Sequence, residues 1–209
     1  MTATVSARKV PRGERRRMEL VDIAEQMFLE RGFADTTMQM ITERAGASKE
    51  TLYRHFVSKE LLFAEIVSRK ASQISGPETA IMRGGNPESV LSELGGGLLR
   101  AILTGEASSL FRTVVSEATR TPELGDLFYQ RGPGLTVERL ATYLKRACKR
   151  GELRCDDPQT AARLFLGAVV SQYHLRRLVQ SNWRPPAARE FERHVEAAVT
   201  MFLAQYRSR

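Results

Sequence analysis

Residues 36–62 (TTMQMITERAGASKETLYRHFVSKELL) constrain the fold more than any other part of the chain. Met38, Ile41 and Ala45 recur at helical spacing, and Gly46 then supplies a turn. Ser48 is a helix-starting residue in front of a second run, Lys49 to Phe56. Ser58 stands in the same relation to Leu61, Leu62, Ile66 and Val67. At the head of the segment, Thr36 and Gln39 have the spacing of a capping box, with Thr37 as the alternative cap. The pattern predicts two short helices joined by a tight turn, followed at once by a third helix.

Upstream, residues 14–31 place Leu20, Ile23, Ala24, Met27 and Phe28 on one face of an amphipathic helix. Gly32 suits the left-handed position that ends it, and Phe33 anchors the link onward. Residues 1–13 are polar and basic, contain Pro11 and Gly13, and read as a flexible arm. Positions 8–17 hold six basic residues and one acidic residue. This run is either an arm that reaches a phosphate backbone or minor groove, or a solvated tail.

The remaining chain is punctuated at Gly76-Pro77, Gly84-Gly85-Asn86-Pro87, Gly105, Thr121-Pro122, Gly132-Pro133-Gly134, Gly151, Asp157-Pro158 and Pro185-Pro186. The segments between are rich in Leu, Ala, Arg and Glu with helical periodicity. Sustained strand alternation is absent. The chain therefore reads as all-α, with about nine or ten helices. Gly95-Gly96-Gly97 lies inside an apolar helical pattern and predicts a close helix contact or a kink. With no strand before it and no Lys-Ser/Thr after it, it is not a phosphate loop.

The 209 residues are 42% hydrophobic and 27% charged, with a formal net charge of +8. That balance fits a soluble globular protein and favours a polyanionic partner. Cys148 and Cys155 form no CxxC pair and read as ordinary intracellular thiols, with redox sensing as the minor reading. No apolar run has the length of a membrane span and the N-terminus lacks a signal-peptide core, so the expected location is cytoplasmic.

On the helix after Ser48, Leu52 and Phe56 share a face that packs on Ile41 and the first helix. The opposite side presents Lys49, Glu50, Tyr53 and Arg54, residue types that reach phosphates and base edges. The N–H groups behind Ser48 favour a phosphate. Lys59 and Arg44 are placed for further phosphates. The bland alternative is a helical hairpin with a solvated charged face.

The string Thr37-x3-Ile41-x3-Ala45-Gly46-Ala47-Ser48-x2-Thr51-Leu52-Tyr53-x-His55-Phe56-x-Ser58-Lys59-Glu60-x-Leu62 resembles the N-terminal domain of TetR-family transcriptional regulators. Phe28-x2-Arg31-Gly32-Phe33 before it also fits. Glu50 departs from the glycine common there; a carboxylate can accept from cytosine N4. The resemblance implies a helix-turn-helix DNA-binding domain over 14–66, with the motif at about 37–56. It implies a ligand-binding and dimerisation domain over 67–209. Tyr53 and Lys59 are then phosphate contacts, and Thr37, Ser48 and Thr51 lie at the helix starts that face DNA. Lys49, Glu50 and Arg54 are base or groove contacts, Arg44 is a further phosphate clamp, and His55 either packs or donates to phosphate.

Further on, Phe111-Arg112-x-Val114-Val115-x-Glu117-Ala118, Pro122-Glu123-Leu124, Phe128-Tyr129, Gly132-Pro133, Gly151-Glu152-Leu153, Asp157-Pro158 and Phe165-Leu166-Gly167 resemble the AefR-like C-terminal domain. The last two helices are expected over 158–181 and 186–207. Their apolar stripes (Leu164, Phe165, Ala168, Val169 and Tyr173; Phe191, Val195, Ala198, Val199, Phe202 and Leu203) form either a four-helix dimer bundle, as the resemblance implies, or the chain's own core. Phe111, Phe128, Tyr129, Tyr143 and Phe165 are pocket-wall candidates or core. Arg112 and Glu117 are candidates to pair with each other or with a polar ligand group; His174 and Arg176 are equally open.

The implied partners are operator DNA, a small-molecule effector and a second copy of the chain, with no membrane and no cofactor. The implied action is repression relieved when ligand favours a conformer whose two reading helices no longer match successive major grooves about 34–36 Å apart, with a helix over 58–75 as the link. An enzyme is not expected, since no Gly-x-Ser-x-Gly, no metal-spaced His/Cys cluster and no metal site is present. A helical carrier module without DNA regulation is the alternative function.

Overall fold

The computed structural model describes residues 11–73, 85–103, 105–180 and 182–208. Arg8 and Lys9 of the basic run, the Gly76-Pro77 break, Gly84, the expected end of the linking helix at 75 and the expected helix end at Ser181 lie outside the described residues. Ten helices are present among them. They are α1 (Arg12–Arg31), α2 (Met38–Arg44), α3 (Lys49–His55), α4 (Lys59–Gln73), α5 (Pro87–Leu103), α6 (Gly105–Glu117), α7 (Pro122–Arg131), α8 (Pro133–Lys149), α9 (Pro158–Val179) and α10 (Ala188–Tyr206). The chain divides into two compact units, Met1–Ile66 and Val67–Arg209, and α4 runs across the division.

In the first unit, α1 starts at Arg12, directly after Pro11. Pro fixes a φ compatible with a helix start, so Arg12 and Gly13, expected in the flexible arm, are helical, and the arginines at 15, 16 and 17 follow them in the helix as expected. The buried face is Leu20, Val21, Ala24, Glu25, Met27 and Phe28, and Ile23 is only half-buried. Gly32 ends the helix at φ 84°, ψ 168°. That is positive φ with an extended ψ, a region essentially reserved for glycine, and not the left-handed helical cap. Phe28, Phe33 and Phe63 then meet with ring centroids 5.3–5.7 Å apart and, with Ile41, Leu52 and Ile66, fill the core.

Of the two threonines before α2, Thr37 is the cap: its Oγ1 accepts from Met40 N at 3.2 Å. Thr36 is fully buried and its hydroxyl donates to Gly32 O at 2.7 Å. The capping box with Gln39 is therefore not formed. Ser48 Oγ accepts from Thr51 N at 3.1 Å and Ser58 Oγ from Leu61 N at 3.2 Å, capping α3 and α4 as their positions predict. Gly46, at φ 54°, makes the left-handed turn between α2 and α3.

The second unit is a helical layer built around α5, α8, α9 and α10. Its core joins Leu91, Leu94, Leu140, Leu144, Phe165 and Phe202 with their neighbours. At the crossing of α5 with α10, a Cβ on Gly95 would lie 2.9 Å from Val195 Cγ1 and 3.6 Å from Val169 Cγ2. The glycine run is thus a close helix contact at its first residue. Asp157 caps α9 by accepting from Gln159 N and Thr160 N at 3.0 and 3.1 Å. An isolated antiparallel bridge, Leu153 to Arg207, ties the end of α10 to the turn after α8.

Of the two readings of the last two apolar stripes, these faces serve the chain's own core. Val195, Ala198, Val199, Phe202 and Leu203 of α10, and Phe165, Val169 and Tyr173 of α9, are buried in the chain's own core. Leu164 faces away, 60% exposed, together with Leu175, Val179 and Met201. A helix buries one face per neighbour, and the intrachain neighbours have taken this one.

Candidate functional site

Seven residues are too few for a helix to hold itself in water, so α3 depends on what surrounds it. Leu52 and Phe56 are buried beneath it, while Lys49, Glu50, Tyr53 and Arg54 stand in solvent. Glu50 and Arg54 form an exposed i,i+4 pair at 3.8 Å. Exposed pairs of that kind are weak, so both side chains remain available to a partner. Thr51 is half-buried with its hydroxyl 2.8 Å from Ser48 Oγ, and His55 is half-buried with its ring 6.4 Å from that of Phe56. Thr37 and Ser48 are exposed at the starts of α2 and α3.

Two predicted phosphate contacts are engaged within the protein. Lys59 Nζ donates to the carbonyls of Phe33, Thr36 and Ala34 at 2.7, 2.9 and 3.4 Å, and lies 4.3 Å from the centre of the Phe33 ring. An ammonium has three donors, and the loop between α1 and α2 occupies them. Arg44 forms a two-pronged pair with Glu30, at 2.5 and 2.9 Å. That hydrogen bonding raises the guanidinium's pKa and lowers the carboxyl's, on an exposed surface.

The basic residues in the first turns of α1 supply clamps that the sequence did not disclose. Arg16 donates to Ala45 O and Gly46 O at 2.9 and 3.3 Å, closing the carbonyl end of α2 at the turn. Arg17 bonds Glu65 at 2.8 Å, which raises its pKa, and its guanidinium lies 5.1 Å from the centre of the Phe56 ring at the end of α3. The two side chains grip the helix-turn-helix at both ends of α3. Nothing in the spacing of a basic run separates arginines that bind backbone carbonyls from arginines that bind phosphate.

The second unit holds an apolar cavity of about 240 Å³ walled by α4, α5, α6, α7, α8 and α9. Phe111 and Phe128 lie in its wall, with His174 and Lys70. Tyr143 and Phe165 belong to the core instead, and Tyr129 is 56% exposed. Arg112 bonds Ser109 Oγ and the Arg177 carbonyl at 3.0 and 3.3 Å. A groove at Asn86, Glu88, Glu152 and Arg207 is larger but open to solvent, and the Arg207–Glu88 pair crosses it at 2.9 Å. Cys155, beside Cys148, has its thiol pushed up to about 11 by burial, which leaves little reactive thiolate at neutral pH. Among the described residues no group of three or more His, Cys, Asp or Glu could hold a metal ion, and no helix is long and apolar enough to cross a membrane.

Comparison with known proteins bears on both units. Residues 20–66 match the profile of bacterial regulatory proteins of the tetR family, and residues 89–208 that of the AefR-like transcriptional repressor C-terminal domain. The HTH-type transcriptional repressor KstR2 of Rhodococcus jostii is 40% identical over 70 residues, 34% of either chain. The chain thus matches about a third of the length of such curated relatives. A TetR-family regulator from Mesorhizobium loti superposes with a TM-score of 0.80 at 30% identity, over 94% of this chain and 99% of that one. The flavonoid-responsive regulator FrrA superposes with a TM-score of 0.77 at 31% identity, over the same 94% and 99%.

Proposed function

The chain belongs to the TetR family of bacterial transcriptional regulators, with an AefR-like C-terminal domain, and on that premise we propose that it is a homodimeric repressor whose grip on operator DNA is released by a small molecule in the second unit. The observation that carries this reading is the surface of α3. Lys49, Glu50, Tyr53 and Arg54 point to solvent from a helix whose other face is locked down. Lys49 and Tyr53 contact phosphate, Arg54 and Glu50 read base edges, and Thr37, Ser48, Thr51 and His55 approach the backbone beside them. Lys59 acts as a positioning residue for the loop before α2. Arg44 reaches phosphate only by leaving Glu30.

The cavity is the effector site. FrrA, a regulator of the same size and fold, is named for its response to a flavonoid, which supports a small-molecule effector here. The linking helix α4 gives Phe63 and Ile66 to the core of the first unit and Val67 and Lys70 to the cavity wall. Effector binding shifts the population between conformers through its differential affinity for them. The dimer uses the exposed stripe Leu164, Leu175 and Val179 of α9 with Met201 of α10, which one subunit leaves uncovered.

The test is a gel-shift against the DNA upstream of the chain's own gene, across a salt series, with Lys49→Ala/Tyr53→Ala as the comparison. A specific shift is expected, weakened at least tenfold by the double substitution while the helical circular dichroism stays unchanged. No specific shift with that DNA or with selected genomic fragments would turn the reading toward a ligand carrier.

A further inference from the structure

We propose that the cavity of the second unit is built for a compact, uncharged aromatic molecule of one or two rings that donates a hydrogen bond, a phenol being the simplest case. The inference rests on the reading of this cavity as the effector site and adds the chemistry of what enters it.

Size comes first. At about 240 Å³ the cavity lies below the roughly 300–1,000 Å³ of sites that take drug-sized ligands. One or two fused rings fill it.

The wall sets the shape of the guest. Phe128, Phe111 and His174 form a run of rings, with centroid separations of 5.4 and 4.6 Å. Leu98, Leu110, Leu166 and Val170 complete an aliphatic surface around them. Offset or edge-on packing against such a run favours a flat aromatic guest.

The polar wall atoms set its hydrogen bonding. Ser108 lines the cavity and donates its hydroxyl hydrogen to Ile102 O at 2.8 Å. Thr136 does the same to Gly132 O at 3.2 Å. A hydroxyl has a single hydrogen, so both oxygens have only lone pairs left for a guest. Burial holds the His174 imidazole below its ordinary pKa, so it is neutral at physiological pH and offers one further acceptor and one donor. A guest that donates satisfies these acceptors, whereas one that cannot donate leaves them desolvated and unpaired.

Charge is disfavoured by the same wall. Lys70, its cationic residue, already has an interaction within the chain. A carboxylate entering here would leave water for a largely apolar surface and would have to compete for Lys70.

The experiment is calorimetric titration of the full chain at neutral pH with naphthol, its methyl ether and naphthoate, repeated on Ser108→Ala/Thr136→Val. Naphthol is expected to bind at least tenfold more tightly than either analogue. The double variant should narrow the gap between naphthol and the ether at least threefold, His174 remaining as an acceptor, with thermal melting showing that it is folded. Naphthoate binding as tightly as naphthol, an ether that binds equally well to the unaltered chain, or no heat from any probe up to millimolar concentration would each overturn the proposal. A gel-shift on the same preparation separates the two claims. Specific DNA binding with no naphthol binding overturns the ligand class alone. Naphthol selectivity with no DNA binding supports the ligand class and overturns the regulator reading.

Discussion

The two units are held together by different means. In the first, α2 and α3 have seven residues each, too short to be stable alone, and cationic side chains pin them from outside. Arg16 holds the carbonyls at the turn, Arg17 holds Glu65, and Lys59 holds the carbonyls before α2. In the second, α9 and α10 run for 22 and 19 residues and are fixed by apolar packing from end to end. Polar ties are added to that packing: Tyr143 Oη donates to Gly85 O at 2.9 Å, and His194 Nε2 lies 3.1 and 3.0 Å from the Ala168 and Val169 carbonyls, joining α10 to α9. In a helix-turn-helix unit, then, a cation is not a phosphate contact until its own partners have been counted.

The strongest test of this contrast removes a ring from the apolar side. Phe165→Ala should cost about 3–5 kcal/mol in urea unfolding of the second unit, as for buried aromatic truncations generally. A cost under about 1 kcal/mol would show that packing is not what fixes that unit. Next in size is Lys59→Met, which removes a charged donor from three carbonyls. It should destabilise the first unit by about 1–3 kcal/mol while leaving the salt dependence of DNA binding unchanged. Lys49→Ala should do the reverse, lowering the salt slope by about 0.9 per subunit with no change in melting. If Lys59→Met lowers the slope and spares stability, the contrast fails.

The smallest expected effect concerns pH. Burial lowers the His174 pKa in the folded chain, so the unfolded chain binds the proton more readily. Stability from this group is therefore complete above the unfolded value of about 6.5 and is lost as pH falls below it toward the folded value. Thermal melts across that window should decline toward acid, and His174→Phe should flatten the decline. An equal decline in the variant would assign it to other groups.

Much of the first unit was legible because its signals are local. Ser48, Gly46 and Ser58 each act within a few residues of themselves, and all three fall where the sequence places them. The choice between Thr36 and Thr37 was not legible, because both spacings suit a cap and only the burial of Thr36 against Gly32 O decides it. The intrachain bonds of Lys59 and Arg44 were not legible for a different reason. Their partners, Phe33, Thr36 and Glu30, lie on other elements, and no sequence spacing encodes that meeting. The α9 and α10 stripes were seen correctly as apolar, but periodicity does not say which neighbour covers a face. The cavity was half visible: Phe111 and Phe128 were named, whereas Ser108 and Thr136 carry no signal until their hydrogen bonds are seen.

Where α5 meets α10 at Gly95, the gap is set by the thickness of the backbone itself, since even a methyl group would come within 2.9 Å of Val195. Every other amino acid is bulkier, so variation at this position runs in one direction only: it can pry the helices apart but never draw them nearer. Sequence drift there works as a ratchet. Val169 of α9 would meet the same methyl at 3.6 Å, an ordinary contact, so the first step strains the crossing with α10 alone.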